Sequence, residues 1–214
     1  MDRDLADLRR EYRAHGLSET DAGDDPLRLF RVWLDDAIEA GLPEPNAMIL
    51  ATATPDGRPS ARAVLLKSVD AEGFVFFTHH ASRKGRELAA NRVAALCFVW
   101  LELERQVRVE GDVDRAPEAA ADLYFARRPR ASQLGAWASA QSEPVPGRGE
   151  LERRLEDATA RFAERDVPRP PGWGGYRLRP EVLEFWQGRP SRMHDRLQFS
   201  RRRDGGWDCV RLAP

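Results

Sequence analysis

The chain has 214 residues, of which 42% are hydrophobic and 32% charged, and this composition is typical of one globular domain rather than a disordered or fibrous chain. The formal net charge of −1 provides no global basic field, so we expect neither nucleic acid nor an anionic membrane as a partner. The longest apolar run, residues 93–101, is far shorter than the roughly 20 residues needed to cross a bilayer.

The N-terminal sequence and the cysteines bear on location and metal binding. The first residues, MDRDLADLRREYR, alternate in charge and lack the apolar core of a signal peptide, so we expect a cytoplasmic protein. Cys97 and Cys209 belong to no metal-type cluster, and we interpret both as reduced packing residues. His79 and His80 are adjacent, and neighbours on a strand point to opposite faces. We therefore expect no metal site.

The first half of the chain is predicted to be rich in strands. Helical spacing of apolar residues predicts two helices, over residues 5–12 and 25–38. Two strand-like runs, 47–54 and 59–67, flank the turn signal Pro-Asp-Gly and predict a β-hairpin. A short helix is predicted to begin at Ser82. Further strands are predicted over residues 74–78, 93–101 and 105–113.

The second half is predicted to begin with helices and end with strands. Pro117 and Pro129 begin helices that reach about residues 127 and 137, and a third helix carries an apolar stripe from Leu151 to Phe162. The segment DVPRPPGWGG is predicted to be a connector, followed by three strands. Because short turns join most strands, the sequence predicts an antiparallel barrel with helices around it.

The lysines are unusual because only Lys67 and Lys84 occur among 34 basic residues, which leaves 34 − 2 = 32 arginines. Lysine and arginine interchange freely only where the charge is merely solvated, so both lysines are candidate functional residues; chance or codon usage is the alternative. Lys84 follows Ser82 and Arg83 at the start of a helix, where free amides and two cations favour phosphate. An ordinary capped helix is the alternative there.

Lys67 ends a predicted strand that also contains Arg62. Positions five apart on a regular strand lie on opposite faces, so a shared ligand would need a bulge, a strand end or a subunit boundary between them. These three alternatives stay open. On the strand over residues 105–113, Gln106 is predicted to point away from the valines of the core, where its amide can face either water or the edge of a flavin ring.

Two further groups of polar side chains carry potential chemistry. Tyr124, Arg128 and Ser132 are spaced four apart around Pro129, and a phenol, a guanidinium, a hydroxyl and free helix amides together favour a second phosphate site. Two separate anion sites require one molecule with two phosphates or two molecules. In extended chain, Arg192-x-His194-x-Arg196 would place three potential cations on one strand face, which predicts an anionic ligand.

These motifs in this order resemble the pyridoxamine 5′-phosphate oxidase family from about residue 8 to residue 214. The resemblance rests on LRREY, RAVLLK, SRK, ERQVRVEG, YFARRPRASQLGAW, QS, WGGYRL, EFWQG, RMHDR and RLAP. It implies a mainly β fold with α, the FMN-binding split barrel, which is an antiparallel Greek-key β-barrel with surrounding helices. It also implies a homodimer with FMN at the subunit interface. The chain would be divided into an N-terminal substrate-covering segment, residues 1–20, and the FMN-binding split-barrel domain, residues 21–214, which includes a C-terminal dimerisation and substrate region.

The resemblance also implies a role for individual residues. The FMN-binding positions would be Arg62, Ala63, Val64, Leu65, Leu66, Lys67, Phe77, Thr78, Arg83, Lys84, Gln106, Gln141, Ser142, Trp186 and Arg196. The substrate phosphate would be held by Lys67, Tyr124, Arg128 and Ser132. Arg192 and His194 would be the catalytic positions over the pyridine ring, and Arg9 and Tyr12 would cover the substrate.

The implied activity is FMN-dependent oxidation of pyridoxamine or pyridoxine 5′-phosphate to pyridoxal 5′-phosphate, with O2 as acceptor. Two alternatives stay open: an oxidase of the same fold acting on another aromatic such as a phenazine precursor, and a flavin- or B6-phosphate-binding protein without catalysis. The sequence departs from the family pattern mildly. Phe77 stands where tyrosine is frequent, His79-His80 follows Thr78, and Pro190 stiffens the approach to Arg192.

Overall fold

The computed structural model describes residues 11–12 and 16–214, and these residues form helices around one antiparallel sheet. Six α-helices occur in this part of the chain: α1 (Glu19–Ala22), α2 (Pro26–Glu39), α3 (Arg83–Ala90), α4 (Glu118–Ala126), α5 (Arg130–Ala138) and α6 (Arg148–Arg161). Short 3-10 helices span Leu101–Leu103 and Pro190–Arg192. The helix expected over residues 5–12 falls largely outside the described residues.

Nine strands of the described chain make up the sheet. They are β1 (Ala47–Ala53), β2 (Pro59–Leu65), β3 (Ser68–Asp70), β4 (Gly73–His79), β5 (Val93–Trp100), β6 (Arg105–Arg115), β7 (Trp173–Gln187), β8 (Asp195–Arg201) and β9 (Trp207–Arg211). The main order is β2-β1-β5-β6-β7-β4-β3, and β8 joins β7 and β9. Every pairing is antiparallel.

The sheet curls because β2 and β3, the strands at the two ends of its main order, are joined by a very short connection that holds these ends together. Leu66 and Lys67 alone separate β2 from β3, and the Lys67 backbone N–H donates to the Val75 carbonyl at 2.8 Å. The long strand β7 pairs with β4 through its first half and with β8 through its second, while β6 pairs with the other edge of β7 from Tyr176 to Gln187. The result is the antiparallel barrel with surrounding helices that the sequence predicts.

Two apolar clusters hold the helices to the sheet. The larger one fills the barrel and lies under α2, where Phe30 is fully buried with its ring centroid 4.8 Å from those of Phe74 and Phe98. The smaller one lies between α4, α5, α6 and the start of β7, around Phe125 and Trp173. This second cluster fixes α4, which carries Tyr124, and α5, which carries Ser132, against the barrel wall, together with the turn between them that carries Arg128.

The predicted elements agree with the structure in most places. Pro117 and Pro129 directly precede α4 and α5, Ser82 caps α3 by accepting from the Gly85 N–H, and Val107 and Val109 are fully buried on one face of β6. The short strand β3 was not predicted, and residue 101 belongs to a 3-10 helix rather than to β5. In the described part of the chain, helices are all too short or too polar to cross a bilayer.

One predicted connector is partly wrong. The last three residues of DVPRPPGWGG, Trp173, Gly174 and Gly175, form the start of β7 and pair with β4. Glycine is required here by close packing rather than by a turn, because a Cβ on Gly175 would lie 2.9 Å from the Phe77 ring and one on Gly174 would lie 2.6 Å from the His80 ring. Glycine in a strand interior therefore misled the sequence prediction.

Candidate functional site

A cleft of about 730 Å³ opens between the end of β2, the strand β4 and the junction of α4 with α5. This volume lies within the range of about 300–1,000 Å³ usual for small-molecule sites. The cleft gathers many of the residues that the sequence singles out: Ala63, Val64, Leu65, Lys67, Phe77, Thr78, Lys84, Tyr124, Arg128, Ser132 and Gln141. Both lysines of the chain are among them.

Lys84 lines this cleft, and its hydrogen-bond partners among the described residues are neutral. It is 8% exposed, and its ammonium donates to Thr78 Oγ1 and Gln141 Oε1, each at 3.1 Å. No carboxylate of the described residues lies within 4 Å of it. Burial lowers the pKa of Lys84, and the nearby Arg62 lowers that pKa further. A buried cation without a counterion favours an anionic ligand.

A stack of three aromatic rings forms one wall of the cleft. The Phe77 and Tyr124 ring centroids are 4.3 Å apart at an angle of 18°, and Trp173 lies parallel to Phe77 at 5.5 Å. Lys67 is poised over the Tyr124 ring, with its ammonium 5.8 Å from the centroid. Flat apolar walls with cations at the edges suit a planar, anionic ligand.

Arg128 is the most unusual cation of the cleft. Its guanidinium packs 5.1 Å from the Trp173 ring centroid and 5.5 Å from that of Phe125, and its Nη1 is buried without a hydrogen-bond partner. Burial lowers the pKa of Arg128, while Tyr124 raises it. Ser132 lies in the first turn of α5, whose N-cap Pro129 provides no side-chain acceptor for the free amides. Tyr124, Arg128 and Ser132 all line the cleft.

Arg62 and Arg83 lie beside the cleft rather than on its lining. Arg62 points to the opposite face of β2 from Ala63 and Leu65, where it donates to the Leu50 carbonyl at 3.1 Å and to Glu87 at 3.3 Å. Because β2 ends at Leu65, the strand end is the irregularity that separates Arg62 from Lys67. Arg83 donates to Glu87 at 2.9 Å and is otherwise exposed.

Leu66 and Ser142 are two more expected FMN positions that the cleft lining does not include. The Leu66 side chain is 4% exposed and belongs to the barrel core, and both of its backbone groups are bonded to Asn46. Ser142 follows Gln141 with a positive φ of 74°, an uncommon conformation for a residue other than glycine.

The other expected site residues form a second group on β6, β7 and the start of β8. Gln106 and Trp186 face each other across the β6–β7 pair and line a smaller pocket of about 290 Å³ with Tyr12. The Tyr12 ring stands edge-on to Trp186 at 5.5 Å and to His194 at 5.4 Å. Gly188 lies beneath it, because a Cβ there would be 2.8 Å from the Tyr12 ring. Arg9 lies outside the described residues.

His194 is held in a defined orientation. Its ring lies 4.7 Å from Trp186, and its Nδ1 accepts a hydrogen bond from the Arg189 N–H at 3.1 Å. In the neutral ring, the proton is therefore on Nε2. His194 can thus donate a hydrogen bond from Nε2 toward a ligand.

The prediction that Arg192, His194 and Arg196 share one face of an extended strand is wrong. Arg192 ends a 3-10 turn with a positive φ of 60°, and β8 begins only at Asp195. Arg196 is on the strand opposite Trp186, with its guanidinium paired to Glu184 at 2.8 Å. The turn moves Arg192 away from the strand face and leaves it exposed.

Sequence reasoning missed several residues at the cleft. Trp173, Arg127 and Ser139 line it, and Glu87 is the common partner of Arg62 and Arg83. The WGGYRL motif contains Trp173, but its glycines were interpreted as connector. Arg83 and Glu87 stand at i and i+4 on α3, a spacing equally typical of an ordinary surface ion pair.

The curled antiparallel sheet with its surrounding helices defines a split-barrel protein, and cations and aromatic rings line its cleft. Residues 34–162 match the family model described as pyridoxamine 5′-phosphate oxidase, and residues 173–214 match the pyridoxine 5′-phosphate oxidase C-terminal dimerisation region. The chain belongs to the pyridoxamine 5′-phosphate oxidase family.

Relatives support this membership over the whole chain. A protein of Rubrobacter xylanophilus named pyridoxine/pyridoxamine 5′-phosphate oxidase is 62% identical over 212 residues, covering 99% of this chain and 97% of that protein. One of the same name from Thermosynechococcus vestitus is 58% identical over 210 residues, covering 98% and 99%. The resemblance stated from the motifs is therefore confirmed.

Two solved structures confirm the split barrel. PhzG from Burkholderia lata 383, solved with tetrahydrophenazine-1-carboxylic acid, has a TM-score of 0.89 at 33% identity and covers 96% of this chain and 100% of its own. A pyridoxamine 5′-phosphate oxidase-related, FMN-binding protein from Nostoc punctiforme has a TM-score of 0.70 at 17% identity, covering 90% of this chain and 100% of its own. At that identity the second likeness concerns the fold alone.

Proposed function

We propose that this protein is an FMN-dependent homodimeric oxidase that converts pyridoxamine 5′-phosphate and pyridoxine 5′-phosphate to pyridoxal 5′-phosphate. Oxygen is the electron acceptor and hydrogen peroxide is released, together with ammonia when the substrate is the amine. The observation that carries the proposal is that Arg128 Nη1 is buried without a hydrogen-bond partner among the described residues, in the same cleft as Lys84, whose ammonium contacts only neutral groups there. One cleft thus offers two separate positions for a phosphate.

The residues around Lys84 fit the phosphate group of FMN. Lys84 is a buried cation whose partners are neutral oxygens, and Arg83 begins α3, which Ser82 caps, so that the positive end of the helix is beside both cations. Thr78 and Gln141 hold the ammonium in place. Lys84, Arg83, Thr78 and Gln141 would hold the cofactor phosphate, and residues 63–65, which also line the cleft, would contact its ring.

The residues around Arg128 fit the phosphate group of the substrate. Tyr124, Arg128 and Ser132 provide a phenol, a guanidinium and a hydroxyl, and Lys67 adds an ammonium 5.8 Å from the Tyr124 ring. The guanidinium packs 5.1 Å from the Trp173 ring centroid, so little side-chain freedom is lost when it binds an anion. This pocket distinguishes a phosphorylated substrate from an unphosphorylated one.

A homodimer explains why the expected site residues fall into two groups. Gln106, Trp186 and His194 lie in the second group, within or next to the region that matches the dimerisation model. The outer face of β1 and β5 exposes the apolar side chains Ile49 and Val99, 42% and 48% exposed, as interfaces do. In the proposed dimer, the second group of one protomer completes the cleft of the other, with FMN between them.

Bound FMN would supply the redox chemistry, accepting a hydride from substrate C4′ and passing the electrons to O2. The protein positions C4′ and places positive charge around the ring. His194 donates from Nε2, since its Nδ1 is occupied by the Arg189 N–H, and Arg192 orients the substrate from its exposed turn. Tyr12 would help to cover the substrate, and its packing against Trp186 and His194 supports this role.

Release of peroxide tests this proposal. Adding pyridoxamine 5′-phosphate to the FMN-loaded protein should yield hydrogen peroxide and pyridoxal 5′-phosphate in equal amounts, followed by a coupled peroxidase assay and by absorbance of the aldehyde. A yellow protein that releases no peroxide would support the non-catalytic binding alternative. A protein that stays colourless with FMN would contradict every flavin-dependent function.

The phenazine alternative is favoured by the structural likeness to PhzG, but it does not need a substrate-phosphate pocket. Comparing pyridoxine 5′-phosphate with pyridoxine separates the two. We expect the phosphorylated alcohol to be preferred in kcat/KM by at least about 100-fold, because two or more charge-assisted hydrogen bonds are lost without the phosphate. Equal use of both alcohols would favour the alternative.

Replacing Arg192 by leucine should slow the turnover of bound substrate, lowering kcat on the order of 10-fold while the FMN dissociation constant stays unchanged. Binding of FMN should stay unchanged because Arg192 lies on a turn outside the cleft that holds the cofactor phosphate in our proposal. Turnover should fall because Arg192 orients the substrate in the same proposal. Steady-state kinetics and flavin fluorescence measure the two quantities. Arg201→Leu, on the far end of β8, is the matched control. Unchanged kinetics of Arg192→Leu would remove Arg192 from the site.

A further inference from the structure

Glu87 is a buried carboxylate on the inner side of α3, and its contacts join three elements. It is 6% exposed. One carboxylate oxygen accepts hydrogen bonds from the hydroxyls of Thr52 on β1 and Ser60 on β2, at 2.6 Å for Ser60, and from Arg62 at 3.3 Å. The other oxygen accepts from Arg83 Nε at 2.9 Å. All of these partners donate to Glu87.

This arrangement keeps Glu87 ionised. Burial raises the pKa of its carboxyl group, but hydrogen bonds from Ser60, Thr52 and Arg83 outweigh burial and hold the pKa at about 2. The carboxylate is therefore charged at any pH at which the enzyme would work. It lies between two guanidiniums that would otherwise repel each other.

The hydroxyl groups make the position of Arg62 rigid. Arg62 Nη1 donates to the Leu50 carbonyl at 3.1 Å and to Thr52 Oγ1 at 2.6 Å, while Nη2 donates to Ser60 Oγ and to Glu87. Its guanidinium therefore has four hydrogen bonds to the protein. Within the described residues, Arg83 is hydrogen-bonded through Nε, and neither of its terminal nitrogens donates to another group there.

We propose that Glu87 is a positioning residue for the cofactor phosphate. Its carboxylate holds Arg62 and Arg83 side by side next to Lys84, so that the N-terminus of α3 is prepared for a phosphate monoester before the ligand arrives. The inference rests on the proposed function, because the phosphate in question is that of FMN. It adds a residue that itself contacts neither cofactor nor substrate.

The charges of the cluster agree with this role. Arg62, Arg83 and Lys84 provide three positive charges and Glu87 one negative charge, so the cluster has a net charge of 3 − 1 = +2. A phosphate monoester near neutral pH has a charge of about −1.5 to −2. Glu87 thus gathers the cations and still leaves enough positive charge for the phosphate.

The sign of one substitution distinguishes positioning from simple electrostatics. If Glu87 acted only through its charge, Glu87→Gln would strengthen FMN binding, because a negative charge near the phosphate would be removed. If Glu87 positions the guanidiniums, the same substitution weakens binding. We expect the FMN dissociation constant to rise about 10-fold, the loss of one charge-assisted hydrogen bond.

The experiment is a titration of flavin fluorescence with FMN and, separately, with riboflavin, using the full-length protein. A positioning role weakens binding of FMN but changes that of riboflavin by less than about twofold, since riboflavin lacks the phosphate. A loss of fold would weaken both. Glu87→Asp keeps the charge but withdraws the carboxylate by one carbon, and it should also weaken FMN binding. Glu152→Gln, an exposed ion-paired glutamate on α6, is the control and should bind both flavins normally.

Three outcomes would overturn the inference. Tighter FMN binding by Glu87→Gln, unchanged FMN binding by both Glu87 variants, or equal weakening of FMN and riboflavin binding each exclude positioning of the phosphate ligands. These outcomes leave the proposed function intact as long as the unmodified protein binds FMN and releases peroxide. Failure of the unmodified protein to bind FMN would contradict the function and the inference together.

Discussion

Replacing Arg128 by methionine should lower kcat/KM for pyridoxamine 5′-phosphate by about 100-fold or more. The guanidinium is held between Trp173 and Phe125 with a buried, unpartnered Nη1, so it is prepared to donate two hydrogen bonds to a phosphate. Each such bond to a charged group is worth about 1.5–3 kcal/mol. Methionine keeps most of the apolar stem, so the loss reports on the guanidinium rather than on packing. Steady-state kinetics with peroxide detection measure the effect.

Two comparisons sharpen this prediction. Arg128→Lys keeps the charge but not the planar fork, so its kcat/KM should be lowered less, by about 10-fold. Turnover of unphosphorylated pyridoxine should change little in either variant, because this substrate has no phosphate for Arg128 to bind. A methionine variant that loses activity equally toward both alcohols would show that Arg128 supports the fold of the cleft and not the phosphate.

Replacing Lys84 by methionine should weaken FMN binding by about 100-fold. Lys84 is 8% exposed, and among the described residues its ammonium donates to Thr78 and Gln141 alone, so a bound phosphate would supply the negative charge that balances it. Removing a charge-assisted hydrogen bond in a desolvated site costs about 1.5–3 kcal/mol. Quenching of flavin fluorescence measures the dissociation constant directly. Binding of riboflavin should be affected much less.

The stability of the flavin-free protein provides an independent readout for Lys84. Because burial lowers the pKa of this ammonium, its charged form is disfavoured in the folded protein without an anion. Lys84→Met should therefore leave the melting temperature of the flavin-free protein unchanged or higher, while abolishing most of the stabilisation by FMN. Arg86→Met, two residues further on α3 and paired with exposed Glu143, is the control. A lower melting temperature with unaltered FMN binding would contradict the assigned role.

The fold was largely predictable because its signals are local. Proline marks the starts of α4 and α5, alternating valines identify the buried face of β6, and Ser82 caps α3 as expected. The start of β7 was not predictable in this way. Its two glycines resemble a turn, whereas their actual cause is the space taken by Phe77 and His80 on the neighbouring strand. Such a cause is non-local and appears only after the strands have paired.

In the candidate site, too, residues with local sequence signals were predictable, and residues that depend on tertiary packing were not. Lys67, Lys84 and Arg128 were identified from residue type and spacing, and the cleft brings them together. The position of Arg192 could not be derived, because a positive φ at two successive residues turns the chain before β8 begins. Glu87 was missed since its partners Thr52, Ser60 and Arg62 come from a hairpin more than 20 residues away. Its importance depends on tertiary packing.

A crystal structure of the homodimer with FMN and pyridoxal 5′-phosphate bound together tests the central claim most directly. We expect the phosphate oxygens of FMN to contact Lys84 and Arg83, and those of the vitamin to contact Arg128, Tyr124 and Ser132, with the two rings in parallel contact. A structure in which both phosphate groups avoid these side chains, or in which one cluster binds both, would contradict the account.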